Sequence, residues 1–283
     1  MVVAVGGQNV SYYEKTPKDI INWLNRLQEE GGYVFRGYNK AEQMYATVAR
    51  NKKYIKKEKN LLYDFEYYAK SYINANCPIE FMSCAQHYGL PTRLIDYTYN
   101  PFIALYFALY DDKKGTKGED RDYYYINFCK VEDNILLRGI YQTETTTSLA
   151  QSSVGLIRFI ENLFNSGKDI YLEDLHCLDF KSNKINYEGL IRKIRSKCLL
   201  FIEPSQSNQR IIMQQGLFMF PYTLDEISHR EILSRNTKQI IIPKESKKEM
   251  QRYLDSLGFN TYRLMPDLGS ICKEISLRAE DDM

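Results

Sequence analysis

Metal-ligating residues are scarce in this sequence and poorly spaced. Six cysteines stand at 77, 84, 129, 177, 198 and 272, too dispersed for a zinc-type pair and too few for a disulfide scaffold in 283 residues. The three histidines, His87, His176 and His229, do not gather beside them, so no metal site is expected. No run approaches the roughly 20 apolar residues that span a bilayer, which argues against a membrane segment. The start, "MVVAVGGQNVSYYEK", has no charged leader or long apolar region, so no signal peptide is expected and a reducing, cytoplasmic setting follows. A net charge of +2 leaves no global attraction for nucleic acid or membrane, so any basic site must be local.

What the chain does have is an ordinary globular balance, 44% hydrophobic and 26% charged, which excludes disorder. Tyrosine is abundant: 24 copies against a single tryptophan, a residue that buries its ring while wetting its hydroxyl.

Periodicity and punctuation give an order of elements. A helix opens at Thr16-Pro17, carries Ile20, Ile21, Trp23, Leu24 and Leu27 at helical spacing, and stops at Gly31-Gly32. "YVFRGY" (33–38) reads as a strand. The basic run "NKKYIKKEKN" (51–60) reads as a solvated loop or helix edge in preference to a nucleic-acid patch. "KNLLYDFEYYAKSYINA" (59–75) reads as a helix packed through Leu61, Leu62, Phe65, Tyr68 and Tyr72. A helix follows Pro78 and ends at Gly89, an extended run covers 90–98, and Asn100-Pro101 opens a buried helix, "FIALYFALY".

Further on, "KKGTKGEDRD" (113–122) is expected as a turn and "YYYINFCKV" (123–131) as a central strand. Residues of about 132–195 read as a helical insertion, with one clear helix carrying Leu156, Ile157, Phe159, Ile160 and Leu163, and a second helix or irregular arm at 185–197. Strands are expected at 198–204, 216–221, 238–243 and 260–266, with helices at 244–258 and 267–280. No repeat or low-complexity linker interrupts the chain. The expectation is one α+β domain over residues 1–283, with a helical N-terminal part at about 16–80, core segments at 33–130 and 198–268, and a central, mostly antiparallel sheet flanked by helices.

Three segments carry polar groups where packing would not choose them. Arg36 lies in a strand and is followed by Gly37. Its guanidinium fits phosphate or carboxylate in two bonds, and the glycine permits close approach of a backbone or a ligand. A structural Arg–carboxylate pair is the competing reading. In "QHYGLPTRLIDYTYNPFIALYFAL" (86–109), Gln86, His87, Thr92, Arg93, Asp96 and Thr98 crowd ahead of an apolar helix. As a strand this run puts Arg93, Ile95 and Tyr97 on one face and Leu94, Asp96 and Thr98 on the other. The dipole of the helix opening near Pro101 favours an anion beside Thr98 and Asn100, while simple capping by the same residues explains them equally well. In "NQRIIMQQGLFMFP" (208–221), Arg210, Gln214 and Gln215 flank an apolar step before Gly216. Their glutamines suit an amide or a ribose hydroxyl.

Together these motifs resemble the FRG domain family, named for the tripeptide that stands here as Phe35-Arg36-Gly37. The resemblance is most specific at 86–108, continues through "RIIMQQGLFMF" and the closing "IIIPKESKKEMQRYLDSLGFNTYRLMPDL", and covers about Asn22 to Leu268, weakest over 130–195. The order of its elements is similar to that of ADP-ribosyltransferases of the Arg-Ser-Glu type. That likeness implies an ADP-ribosyltransferase-like fold using NAD as substrate, with Arg36, Gly37, Arg93, Tyr97, Thr98, Tyr99, Arg210 and Gln214 holding the dinucleotide. Asp96, His87 and Gln215 would take the catalytic positions. Gln215 or Gln214 stands where such enzymes carry glutamate, and a glutamine cannot take a proton, which leaves that role to Asp96, His87 or a residue such as Glu203. The implied setting is a toxin or phage-defence effector that modifies a protein or nucleic-acid acceptor or cleaves NAD. A nucleotide- or nucleic-acid-binding module without catalysis is the alternative, and a different phosphoester chemistry stands third.

Overall fold

In a computed structural model, the described residues are 2–4, 10–13, 16–110, 122–137, 148–165, 192–193, 196–205 and 209–281. The turn expected at 113–122 and the second element of the insertion lie almost wholly outside them.

The fold is α+β, built on a mixed sheet. Seven strands make its body: β3 (Tyr33–Tyr38), β4 (Ile95–Thr98), β5 (Tyr123–Lys130), β6 (Ile135–Leu137), β7 (Leu200–Ile202), β8 (Gly216–Met219) and β9 (Lys238–Pro243). Two short strands, β1 (Val2–Ala4) and β2 (Val10–Tyr13), extend one edge, giving the order β1-β2-β9-β5-β3-β4-β8-β7-β6. Pairing is antiparallel except for β2 with β9 and β6 with β7, so the sheet is mostly antiparallel but not purely so.

Both faces of the sheet are covered, and the period-2 alternation of the strands feeds both. Val34 and Cys129 enter one apolar cluster, while their chain neighbours Phe35 and Phe128 enter the other. The second cluster is organised by α1 (Pro17–Glu30) and α4 (Pro101–Leu109). Thr16 caps α1 by accepting from the Asp19 N–H at 3.2 Å, and Gly31 and Gly32 end it with positive φ. Asn100 caps α4 through the N–H groups of Phe102 and Ile103, with Pro101 in the first turn. Every residue of α4 except Phe107 is buried, which is why it is apolar all round.

The other cluster gathers α2 (Lys52–Ala69), α3 (Pro78–His87) and α5 (Leu149–Asn165). Ile157 and Ile160 of α5 are fully buried there, so this part of the expected insertion belongs to the core. Of the two readings of the basic run the structure has the helix edge, the first half of α2, and of the tyrosines expected to pack that helix, Tyr68 and Tyr72 point outward.

The C-terminal third holds α6 (Gln209–Met213), α7 (Glu226–Asn236), α8 (Lys247–Ser256), α9 (Thr261–Leu264) and α10 (Leu268–Asp281). Residues 261–264, expected as a strand, form the short helix α9 because Asn260 caps it from the Arg263 N–H at 3.1 Å. Helix α7 is absent from the sequence reading; its apolar residues are few, and Asp225 starts it by accepting from the Ser228 N–H at 2.9 Å.

Candidate functional site

Strand β4 runs between β3 and β8, with Thr98 opposite Phe35 on one side and Gly216 on the other. The three polar segments of the sequence therefore lie side by side at the middle of the sheet. Two clusters of side chains grow from them.

The first surrounds Asp96. Its carboxylate is exposed, yet both oxygens accept from the Gln86 amide nitrogen, at 2.9 and 3.0 Å. Gln86 is itself fixed, its carbonyl accepting from the Thr92 hydroxyl. Arg36 donates to the main-chain carbonyl of Asp96 and, through Nε and a terminal nitrogen, to that of Gln43 at 3.2 and 2.8 Å. It makes no ion pair within 4 Å among the described residues. Arg50 reaches the Tyr45 carbonyl at 3.2 and 3.1 Å. Burial and the neighbouring Arg36 charge lower its pKa, against the pull of Glu42 and Asp96. The result is a rigid, exposed carboxylate in the field of two arginines.

The second cluster begins one residue later. His87, half-buried at the end of α3, accepts at Nδ1 from Arg210 of α6 at 3.1 Å, which leaves the proton of the neutral ring on Nε2. Burial and the Arg210 charge both lower the His87 pKa from 6.5, and Asp267 opposes them. For Asp267 the order is reversed: burial raises its pKa, but bonds from the Ser270 N–H and hydroxyl at 2.8 and 2.7 Å, with His87 and Arg210 nearby, bring it below 3.8.

Several residues expected to face a ligand serve the fold instead. Arg93 is 1% exposed and closes a buried network with Glu58 and Glu161, so it offers nothing to a phosphate. Tyr97 is buried edge-on against Phe201 at 5.2 Å, with its pKa raised by burial and then by Cys129, and cannot stack on a nicotinamide. The Thr98 hydroxyl is buried, donating to the Gln214 carbonyl at 2.7 Å and accepting from the Asn100 N–H. Gln214 spends its amide on the Leu264 carbonyl at 2.8 Å. Gly37 admits the backbone of α4: a β-carbon there would lie 1.7 Å from the Ala104 oxygen. Tyr99 donates to Glu203 at 3.1 Å. Gln215 is exposed in a left-handed turn (φ 46°) ahead of β8 rather than on the strand, its carbonyl accepting from the Tyr99 N–H.

Sequence reasoning missed Arg50, Asp267 and His229. His229 is buried on α7 and donates from Nε2 to the Met44 carbonyl at 3.2 Å, steadying the turn whose Tyr45 carbonyl holds Arg50. Burial first, and then Arg36, push its pKa down to about 4 despite that bond. The sign of the pH effect follows. Between about pH 4 and 6.5 the unfolded chain binds a proton at this site that the folded chain refuses, so stability falls as the pH drops through that window. The loss is on the order of 3 kcal/mol at its limit. Urea unfolding at pH 7 and pH 4.5 is expected to show this drop in the wild type and a smaller one in His229→Gln; equal drops would remove His229 as the cause.

No group of three or more His, Cys, Asp or Glu suited to a metal ion occurs among the described residues, nor is any helix there long and apolar enough to cross a membrane. The fold and its polar clusters thus define a mixed-sheet α+β protein with an exposed, amide-bonded carboxylate near two arginines. Residues 31–117, from the start of β3 past the end of α4, match the family model of the FRG domain. No curated protein and no solved structure matches the chain.

Proposed function

We propose that the chain binds a phosphorylated nucleotide, NAD foremost, over Arg50, Arg36 and Asp96, and that Asp96 is the carboxylate that acts on the ribose. The observation that carries this reading is the state of Asp96: exposed, on a central strand, both oxygens held by one amide, with Arg36 on its own carbonyl and Arg50 nearby. A carboxylate so fixed needs no reorganisation to stabilise positive charge developing on a sugar ring. In the proposed reaction the C1′–N bond breaks, its electron pair leaves with nicotinamide, and an O–H or N–H nucleophile adds to C1′. The nucleophile's proton passes to Asp96, since the one lone pair of the neutral His87 ring is already taken by Arg210.

On this reading the chain acts as an ADP-ribosyltransferase-like enzyme that modifies a macromolecule or cleaves NAD, as a toxin or phage-defence effector would. Gln215, exposed and unable to take a proton, favours a second reading in which the nucleotide is bound and not transformed.

Calorimetry with NAD and detection of free nicotinamide test both. Nicotinamide release by the wild type, lowered about 100-fold or more in Asp96→Asn with binding kept within a few fold, is the expected result. Binding without release in the wild type selects the second reading, and no binding at millimolar NAD sinks both.

A further inference from the structure

Helix α2 carries a charge pattern that its own stability does not explain. Lys52, Lys53, Lys56, Lys57 and Lys59 fill its first turns, at the end where the helix dipole is already positive and acidic residues are favoured. All five are exposed, as is Lys70 just past the helix, and none forms an ion pair among the described residues. The acidic residues of the same helix do not neutralise them. Glu58 is buried against Arg93, and Glu66 turns to the Ser148 hydroxyl and the Leu149 N–H, leaving Asp64 as the one exposed carboxylate of α2. In a chain whose net charge is +2, this is a concentrated positive strip.

The same strip carries aromatic rings. Tyr67 is 79% exposed and Tyr63 44%. At 3.6 residues per turn, Lys52, Lys56, Lys59, Tyr63, Tyr67 and Lys70 all fall within an arc of about 80°. They form one ridge, roughly 27 Å long, its centre about 120° around the helix from the buried Glu58 and Leu62. Outward tyrosines alone would suit a protein partner. Lysines at either end of the tyrosine pair, with nothing anionic between them on the ridge, repel a basic surface and attract a polyanion. A phosphate chain whose bases are free to stack satisfies both features, whereas a duplex hides its base faces.

We infer that this face of α2 is a docking surface for single-stranded nucleic acid, with the lysines on phosphates and Tyr63 and Tyr67 stacked on bases. The surface shares no residue with the Asp96 and His87 clusters and does not rest on the proposed chemistry there.

The test is fluorescence anisotropy with a labelled single-stranded oligouridine and a duplex of equal charge, titrated against salt, using the full chain. Because the altered residues are exposed, the variants should melt as the wild type does. Binding of the single strand at about 10 µM or tighter at low salt is expected. Lys52→Gln/Lys56→Gln should flatten the slope of log Kd against log salt by about 1.4, and Tyr67→Ala should weaken the single strand about tenfold while leaving the weaker duplex binding unchanged. Failure to bind, equal binding of duplex and single strand, or indifference to Tyr67→Ala would overturn the inference. So would concentration-dependent self-association abolished by Tyr67→Ala, which would assign the face to a second copy of the chain.

Discussion

Gly37→Ala is expected to yield no folded protein, or one that melts at least 10 °C lower, about the shift that several kcal/mol produce in a chain of this size. The β-carbon would stand 1.7 Å from the Ala104 carbonyl oxygen and 2.7 Å from the Ala108 nitrogen, both main-chain atoms of α4. Contact needs more than 3 Å, so α4 would have to leave β3. It has nowhere to go: its other sides are buried against α1, β5 and α8, with Ile103, Ala104, Leu105 and Ala108 at most 1% exposed. Overpacking a core with one extra carbon typically costs about 1–3 kcal/mol when side chains can yield. Here the obstacle is backbone, so the cost lies above that range and becomes a large share of the ~5–15 kcal/mol that holds a domain together. A glycine kept for a ligand would behave differently: its alanine variant would melt normally and lose only binding. Circular dichroism melts of the two proteins decide between these outcomes, and a midpoint within about 2 °C of wild type would show that α4 does not sit on Gly37 as described.

The Gly37 result bears on what the sequence alone can convey. "FRG" announces close approach without saying to what, because the approaching atoms belong to a helix 67 residues further along. Local rules did well where one element carries its own signal. Asn100-Pro101 followed by unbroken apolar residues reads as a capped, buried helix, and the alternation around Val34 and Phe35 reads as a strand. They failed where the decisive partner is distant. The lysine run at 51–60 reads equally as a solvated loop or a helix edge until Arg93 is known to bury Glu58 and fix which side of the helix faces in. The tyrosines at 68 and 72 look like packing residues until that same constraint fixes which side of α2 faces in. The crowding of Gln86 and Asp96 was legible because the pair is only ten residues apart. Arg50, which meets Asp96 through space from an unremarkable "TVAR", and Asp267, which reaches His87 across 180 residues, leave no local trace.

The centre of the best-matched motif supplies the second large effect. Arg93→Met is expected to destabilise the protein by about 3–5 kcal/mol, because it strands carboxylates that the guanidinium now satisfies. Nε meets Glu58 at 2.7 Å, one terminal nitrogen is shared between Glu58 and Glu161, the other reaches the Pro221 carbonyl at 3.3 Å, and the plane lies 5.6 Å from the centre of the Phe220 ring. Burial opposes the charge, yet the two glutamates outweigh it and raise the arginine pKa. Most of the penalty on removing it belongs to Glu58, only 7% exposed and left without a counter-ion. The double variant Arg93→Met/Glu58→Leu should therefore recover much of the stability lost in the single one, as apolar replacement of a whole buried pair often does. Arg93→Lys should fall between, since a single ammonium cannot bridge two carboxylates and a carbonyl at once. Urea unfolding of these four proteins and of Glu58→Leu measures this. If Arg93→Met costs less than about 1 kcal/mol, or if the double variant is as unstable as its two single changes combined, the stranded charge is not the cause. A substantial cost relieved in the double variant would show that the arginine between Thr92 and Leu94 joins α2, α5 and the segment after β8 into one core. The ligand chemistry would then rest with the neighbours it holds in place, Gln86 and Asp96.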